Sequence, residues 1–122
     1  MSSPDSPDTP TLEVTCLCAQ WCGTCKDYAA LFASLQQVFP RVAFQWIDIE
    51  DESDRVDPIE VDNFPSILIA RQGRAHFFGS ITPHLETLRR LIQAHLEDNS
   101  ASSHPDAEVQ ALAARLRITA CP

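Results

Sequence analysis

Residues 12–26 read LEVTCLCAQWCGTCK. Leu12, Val14, Cys16 and Cys18 recur at period two, the pattern of a β-strand that turns one face inward. Residues 19–23 then form a short loop. From 24 to about 39 the period lengthens: Tyr28, Leu31, Phe32, Leu35, Val38 and Phe39 fall at i, i+3, i+4, i+7 spacing. This predicts an amphipathic helix of four turns that stops before Pro40. Residues 42–49, VAFQWIDI, predict a second strand, apolar enough to be buried on both faces. A strand, a helix and a strand with short joints make a βαβ unit, with parallel strands and a right-handed crossover.

Downstream, Asp48, Glu50, Asp51, Glu52, Asp54, Asp57, Glu60 and Asp62 stand against Arg55, and Pro58 limits any helix here to a short one. Such a run reads as a solvated face, with a partner-selecting surface as the alternative. Phe64-Pro65 precedes a third strand at 66–70. A turn at 71–74 containing Gly73 leads to a fourth strand at 75–78, closing a hairpin that ends at Gly79. Thr82-Pro83 offers an N-cap with proline in the first helical position. Leu85, Leu88, Leu91, Ile92, His95 and Leu96 continue that helix face. Residues 97–105 read as a linker. Residues 106–118 predict a last short helix with Val109, Leu112, Ala113 and Leu116 on one side, too short to persist unless it docks.

The chain has 122 residues, 44% hydrophobic and 21% charged, which suits one globular domain able to bury a core without disulfides. Residues 1–11, rich in Ser, Pro, Asp and Thr, read as a disordered leader. They lack the basic and apolar regions of a secretory signal, so the expectation is a cytoplasmic protein. No apolar run approaches the ~20 residues that span a bilayer. A net charge of −8, from 9 basic and 17 acidic residues, argues against nucleic-acid partners and against a membrane surface.

Four of the five cysteines, Cys16, Cys18, Cys22 and Cys25, fall within ten residues; Cys121 stands next to the C-terminus as an expected exposed thiol. In a cytosolic protein such a cluster is catalytic or metal-binding before it is structural. Trp21-Cys22-Gly23-Thr24-Cys25-Lys26 lies where strand turns into helix. Two intervening residues bring both thiols within reach of a disulfide. Cys22 sits at the helix N-terminus, where unpaired amides and the macrodipole favour an anion and lower a thiol's pKa. Cys25, partly shielded by the helix, acts second.

These residues, together with Phe64-Pro65-Ser66, Gly73 and Gly79 and the order of elements from 12 to 96, resemble the thioredoxin family. The resemblance implies an α/β thioredoxin-like fold reduced to its minimal core: a central mixed four-stranded sheet, βαβ then β-hairpin and helix, flanked by helices. Residues 97–122 would add a linker and a short C-terminal helix. It implies a thiol–disulfide oxidoreductase reducing protein disulfides through a Cys22/Cys25 dithiol. There would be no cofactor beyond the redox-active disulfide and no metal. The partners would be protein disulfide substrates and an unidentified reductant. The sequence leaves the oligomeric state open, with a monomer favoured. Pro65 would be a cis-proline facing the motif, exposing the backbone of Phe64 to an extended substrate. Trp21, Phe64 and Gly79 would border an apolar docking surface.

The family pattern is broken in places. Cys16 stands where the family usually has a buried aspartate, and Trp46 where a partner lysine is usual. The middle dipeptide is Gly-Thr rather than Gly-Pro. The chain is too short upstream for the first strand and helix of full thioredoxins. Cys16, Cys18 and Lys26 are therefore the expected modulators. Cys16 and Cys18 read first as small buried hydrophobes; the competing role is a third thiol that reacts with Cys25 under oxidation.

Two other readings stay open. Cys16, Cys18, Cys22 and Cys25 could supply four thiolates to zinc or an iron–sulfur cluster, although two positions along one strand lie about 6.6 Å apart. The absent acid–base pair and the acidic segment suit a binding or chaperone-like module without turnover. A cysteine–histidine hydrolase is disfavoured, because His76, His84, His95 and His104 are scattered.

Overall fold

Alternation along the first strand sorts the chain into two cores, one on each side of a sheet. A computed structural model describes residues 12–19, 23–56, 66–71, 73–80, 84–97 and 104–117, with the side chains at 23–26, 53, 55 and 85 outside the description. β1 (Leu12–Cys18) is buried along its whole length. It pairs in parallel with β2 (Val42–Asp48) and antiparallel with β3 (Ser66–Arg71), and β4 (Arg74–Ser80) pairs antiparallel with β3. The order is β2-β1-β3-β4. The helices are α1 (Gly23–Val38), α2 (Ser53–Val56), α3 (Leu85–Glu97) and α4 (Ala107–Arg115). No helix among the described residues is long and apolar enough to cross a membrane.

The period-two stripe of β1 behaves as its spacing requires. Leu12, Val14, Cys16 and Cys18 join Val42, Phe44, Ile67 and Ile69 in one core, covered by Tyr28, Phe32 and Leu35 of α1 and Leu88 and Ile92 of α3. Phe32 meets Phe44 and Trp46 edge-on, with ring centroids 5.4 and 5.7 Å apart. The opposite face carries Leu17, Ile47, Leu68, Ala70 and Ala75, covered by Val56 of α2, by Val109, Leu112 and Ala113 of α4, and by Leu116, its C-cap. The tail helix therefore roofs the second core.

Several boundaries differ from the sequence expectation. Arg71 pairs directly with Arg74, so the hairpin loop has two residues, and β4 runs through Ser80. At φ 80° Gly73 adopts the left-handed conformation that glycine takes without penalty. Its N–H donates to the Glu13 carboxylate at 2.9 Å, giving that buried acid a partner. The last helix is shorter than predicted: Asp106 caps its start by accepting from the N–H groups of Glu108 and Val109. The leader, the Thr82-Pro83 cap and most of the 97–105 linker lie outside the described residues.

β4 also bulges. Ile69 faces Phe77, but Ala70 faces Ala75, leaving His76 as the extra residue. The bulge shifts the alternation, so Ala75 and Phe78 both belong with the second core. Ala75 then bonds to the tail. Its N–H donates to Gln110 Oε1 at 2.9 Å. Its carbonyl accepts from Gln110 Nε2 at 3.0 Å and from the His104 N–H at 2.8 Å.

Candidate active site

Strand register brings three chain segments to one end of the sheet. Leu17 near the end of β1 faces Ser66 at the start of β3, and Ser66 faces Ser80 at the end of β4. Gly79 faces Ile67. In sequence, the Trp21–Lys26 motif follows β1, Phe64-Pro65 immediately precedes β3, and Gly79 lies within β4. Trp21, Cys22, Phe64 and Pro65 lie outside the described residues. Cys25 and Lys26 fall in the first turn of α1. Gly79 is half-buried, and among the described residues a Cβ built there would meet the Phe77 ring, at an ordinary 3.5 Å. The described residues thus leave room for a side chain at Gly79.

α1 starts at Gly23, one residue after Cys22, and its first turn contains no acidic residue. Its N-terminal amides and dipole are therefore not neutralised from within that turn, a setting that favours thiolate over thiol. Nearby, the Ile49 N–H donates to the Cys18 carbonyl at 2.9 Å, tying the end of β1 to the turn after β2. In the acidic stretch, Asp48 Oδ1 accepts from the N–H groups of Glu50 and Asp51, so this carboxylate folds a turn leading into α2.

Beneath this end lies a buried sulfur pair. Cys16 and Cys18 are 0% and 1% exposed, and their Sγ atoms are 3.8 Å apart. Cys16 is free, whereas Cys18 is disulfide-bonded. Its partner is a cysteine outside the described side chains. Only Cys16 carries a proton, so its S–H is the donor in the contact. Burial pushes the Cys16 thiol well above the ordinary thiol range. Tyr28, 1% exposed, shares the cluster; burial, and to a smaller degree Cys16, push its phenol upward. Among the described residues, the buried Tyr28 hydroxyl has no hydrogen-bond partner.

Cys16 faces Trp46 across the β1–β2 ladder, the juxtaposition that the departures from the family pattern imply. The ladder thus places neither a carboxylate nor an ammonium at this pair. Sequence periodicity brought Tyr28 into the core but carried no signal for its unpaired hydroxyl. Spacing likewise put Cys18 on the same face as Cys16 without showing that it is bonded.

Among the described residues no group of three or more His, Cys, Asp or Glu gathers in a way that could hold a metal. The histidines are spread over β4, the start and last turn of α3, and the segment before α4. The His95 ring lies 6.2 Å from that of Phe77, and Arg71 donates to the His95 carbonyl.

The thioredoxin family model matches residues 10–94, from the start of β1 through most of α3 and leaving α4 outside. A thioredoxin H-type of Fagopyrum esculentum is 33% identical over 67 residues, 55% of this chain and 58% of that protein. The chain spans a little over half the length of the first curated relatives it matches. Among solved structures, thioredoxin from Trypanosoma brucei brucei aligns with a TM-score of 0.64 at 27% identity, covering 75% of this chain and 80% of that one. Fasciola hepatica thioredoxin aligns with a TM-score of 0.64 at 25% identity, covering 71% and 83%.

Proposed function

Because the chain belongs to the thioredoxin family, we propose that it is a thiol–disulfide oxidoreductase that reduces protein disulfides through Cys22 and Cys25. The observation that carries this reading is the register. It joins the end of β1, the start of β3 and the end of β4 at one edge, to which the chain attaches the Cys22–Cys25 motif, Phe64-Pro65 and Gly79.

The chemistry follows from the position of α1. Cys22, placed just ahead of an N-terminal turn without acids, ionises readily and attacks one sulfur of a substrate disulfide. A Cys22–substrate disulfide forms, the substrate S–S bond breaks, and the other substrate sulfur leaves as thiolate. Cys25 then attacks the Cys22 sulfur, releasing the second substrate thiolate and closing the Cys22–Cys25 disulfide. Two electrons pass from the dithiol to the substrate, and an external dithiol reductant returns them. Trp21, Phe64 and Gly79 border the docking surface, and Pro65 in the cis form exposes the Phe64 backbone to an extended substrate segment. Lys26, the next residue on α1, modulates the pair by its charge. The protein works in a reducing cytoplasm, which sets the direction toward reduction.

The test is reduction of a protein disulfide, followed with insulin and dithiothreitol. Cys22→Ser is expected to abolish turnover. Cys25→Ser is expected to accumulate a Cys22–substrate mixed disulfide, visible by mass. Unchanged turnover in Cys22→Ser would overturn the reading.

A further inference from the structure

We propose that Cys18 is a third exchanging thiol, which captures Cys25 from a Cys22–Cys25 disulfide and so leaves Cys22 as a free thiolate in the oxidised chain. The inference rests on the oxidoreductase reading and extends it to a cysteine outside the Cys-x-x-Cys motif.

Three observations carry it. First, Cys18 holds a disulfide while its neighbour Cys16 is free, so a strand cysteine takes part in disulfide chemistry. Second, Cys18 belongs to the core beneath α1, whereas α4, which leads toward Cys121, covers the opposite face. Cys25 lies on α1 three residues before Tyr28, which with Phe32 and Leu35 joins that core. On chain position the partner we name is therefore Cys25 rather than Cys22 or Cys121. Third, the cluster supplies a donor for a sulfur anion. Cys16 gives its S–H to the Cys18 sulfur at 3.8 Å. A thiolate leaving at Cys18 would keep that donor, which makes the capture reversible.

The step is an isomerisation. Cys18 thiolate attacks the Cys25 sulfur, the Cys18–Cys25 bond forms, the Cys22–Cys25 bond breaks, and Cys22 departs with the bonding pair. Cys18 releases its proton to solvent, and Cys22 keeps the negative charge as thiolate. No electron enters or leaves. The oxidised chain then keeps a nucleophile that can exchange disulfides in a substrate without first being reduced.

The experiment maps disulfides in the unmutated full chain. The protein is oxidised with one equivalent of diamide, blocked with N-ethylmaleimide and cut with chymotrypsin, which cleaves after Leu17, Trp21 and Tyr28. The expected product is fragment 18–21 joined to fragment 22–28, with maleimide on Cys22. In Cys18→Ser the same oxidation should leave Cys22 unlabelled. Three results overturn the proposal: maleimide on Cys18 with an internal disulfide in 22–28, a link from Cys18 to Cys22, or a link from Cys18 to Cys121. The map reports pairing alone and the insulin assay reports turnover alone, so either reading can fail without the other.

Discussion

Cys16 takes the place where the family usually buries an aspartate, and there it stays a neutral thiol. Its neighbour Tyr28 is held neutral too, and it is the only tyrosine in the chain. Both groups have folded values raised above their ordinary ones, about 9 for the thiol and about 10 for the phenol. The sign follows directly: the unfolded chain ionises first, so their contribution to stability is intact below those values and is lost as pH rises past them. Each group steepens the alkaline loss by about 1.4 kcal/mol per pH unit. We therefore predict that tyrosinate absorbance stays flat through pH 10 and rises only with the unfolding transition, and that Tyr28→Phe makes the alkaline limb shallower. A reversible titration near pH 10 in the folded protein would contradict this. Part of the arrangement was legible in the sequence. The loss of the Asp and Lys positions to Cys16 and Trp46 could be read, and the two do face each other. The unpaired hydroxyl and the bonded state of Cys18 could not, because periodicity assigns a side to a residue and says nothing about what its atoms meet there.

Among the elements, β1, α1 and β2 followed from their apolar periods, and the expected boundaries differ from the observed ones by about one residue. α4 was legible as a helix with an apolar side, but not as the roof of the second core, since a helical stripe does not specify which surface it meets. Gln110 was invisible for a related reason: a polar residue between apolar positions reads as solvated. In the structure its amide serves the Ala75 N–H and carbonyl at the β4 bulge. Gln110→Leu removes both partners and should lower stability by about 1–3 kcal/mol. Leu112→Ala, at a position 0% exposed, should cost about 2–5 kcal/mol. Urea unfolding measures both; a Leu112→Ala midpoint equal to that of the parent chain would mean that α4 does not hold the second core.

At the scale of the molecule, two cores clamp one sheet, and the motif is attached at the end where β1 finishes and β3 begins. On the reading proposed above, the chemistry depends on a few sulfurs sharing one pair of oxidising equivalents. A net charge of −8 repels anionic partners at long range. The central claim is that these sulfurs form one two-electron couple poised for reduction, with Cys22 as its entry point. The most direct measurement is equilibration of the chain across dithiothreitol and glutathione redox buffers, read by thiol labelling. The account predicts a single two-electron transition near the potential of reducing thioredoxins, about −270 mV, and loss of that transition in Cys25→Ser, because Cys25 is common to both disulfides. A midpoint near the strongly oxidising value of about −120 mV, or a transition unchanged in Cys25→Ser, would contradict it.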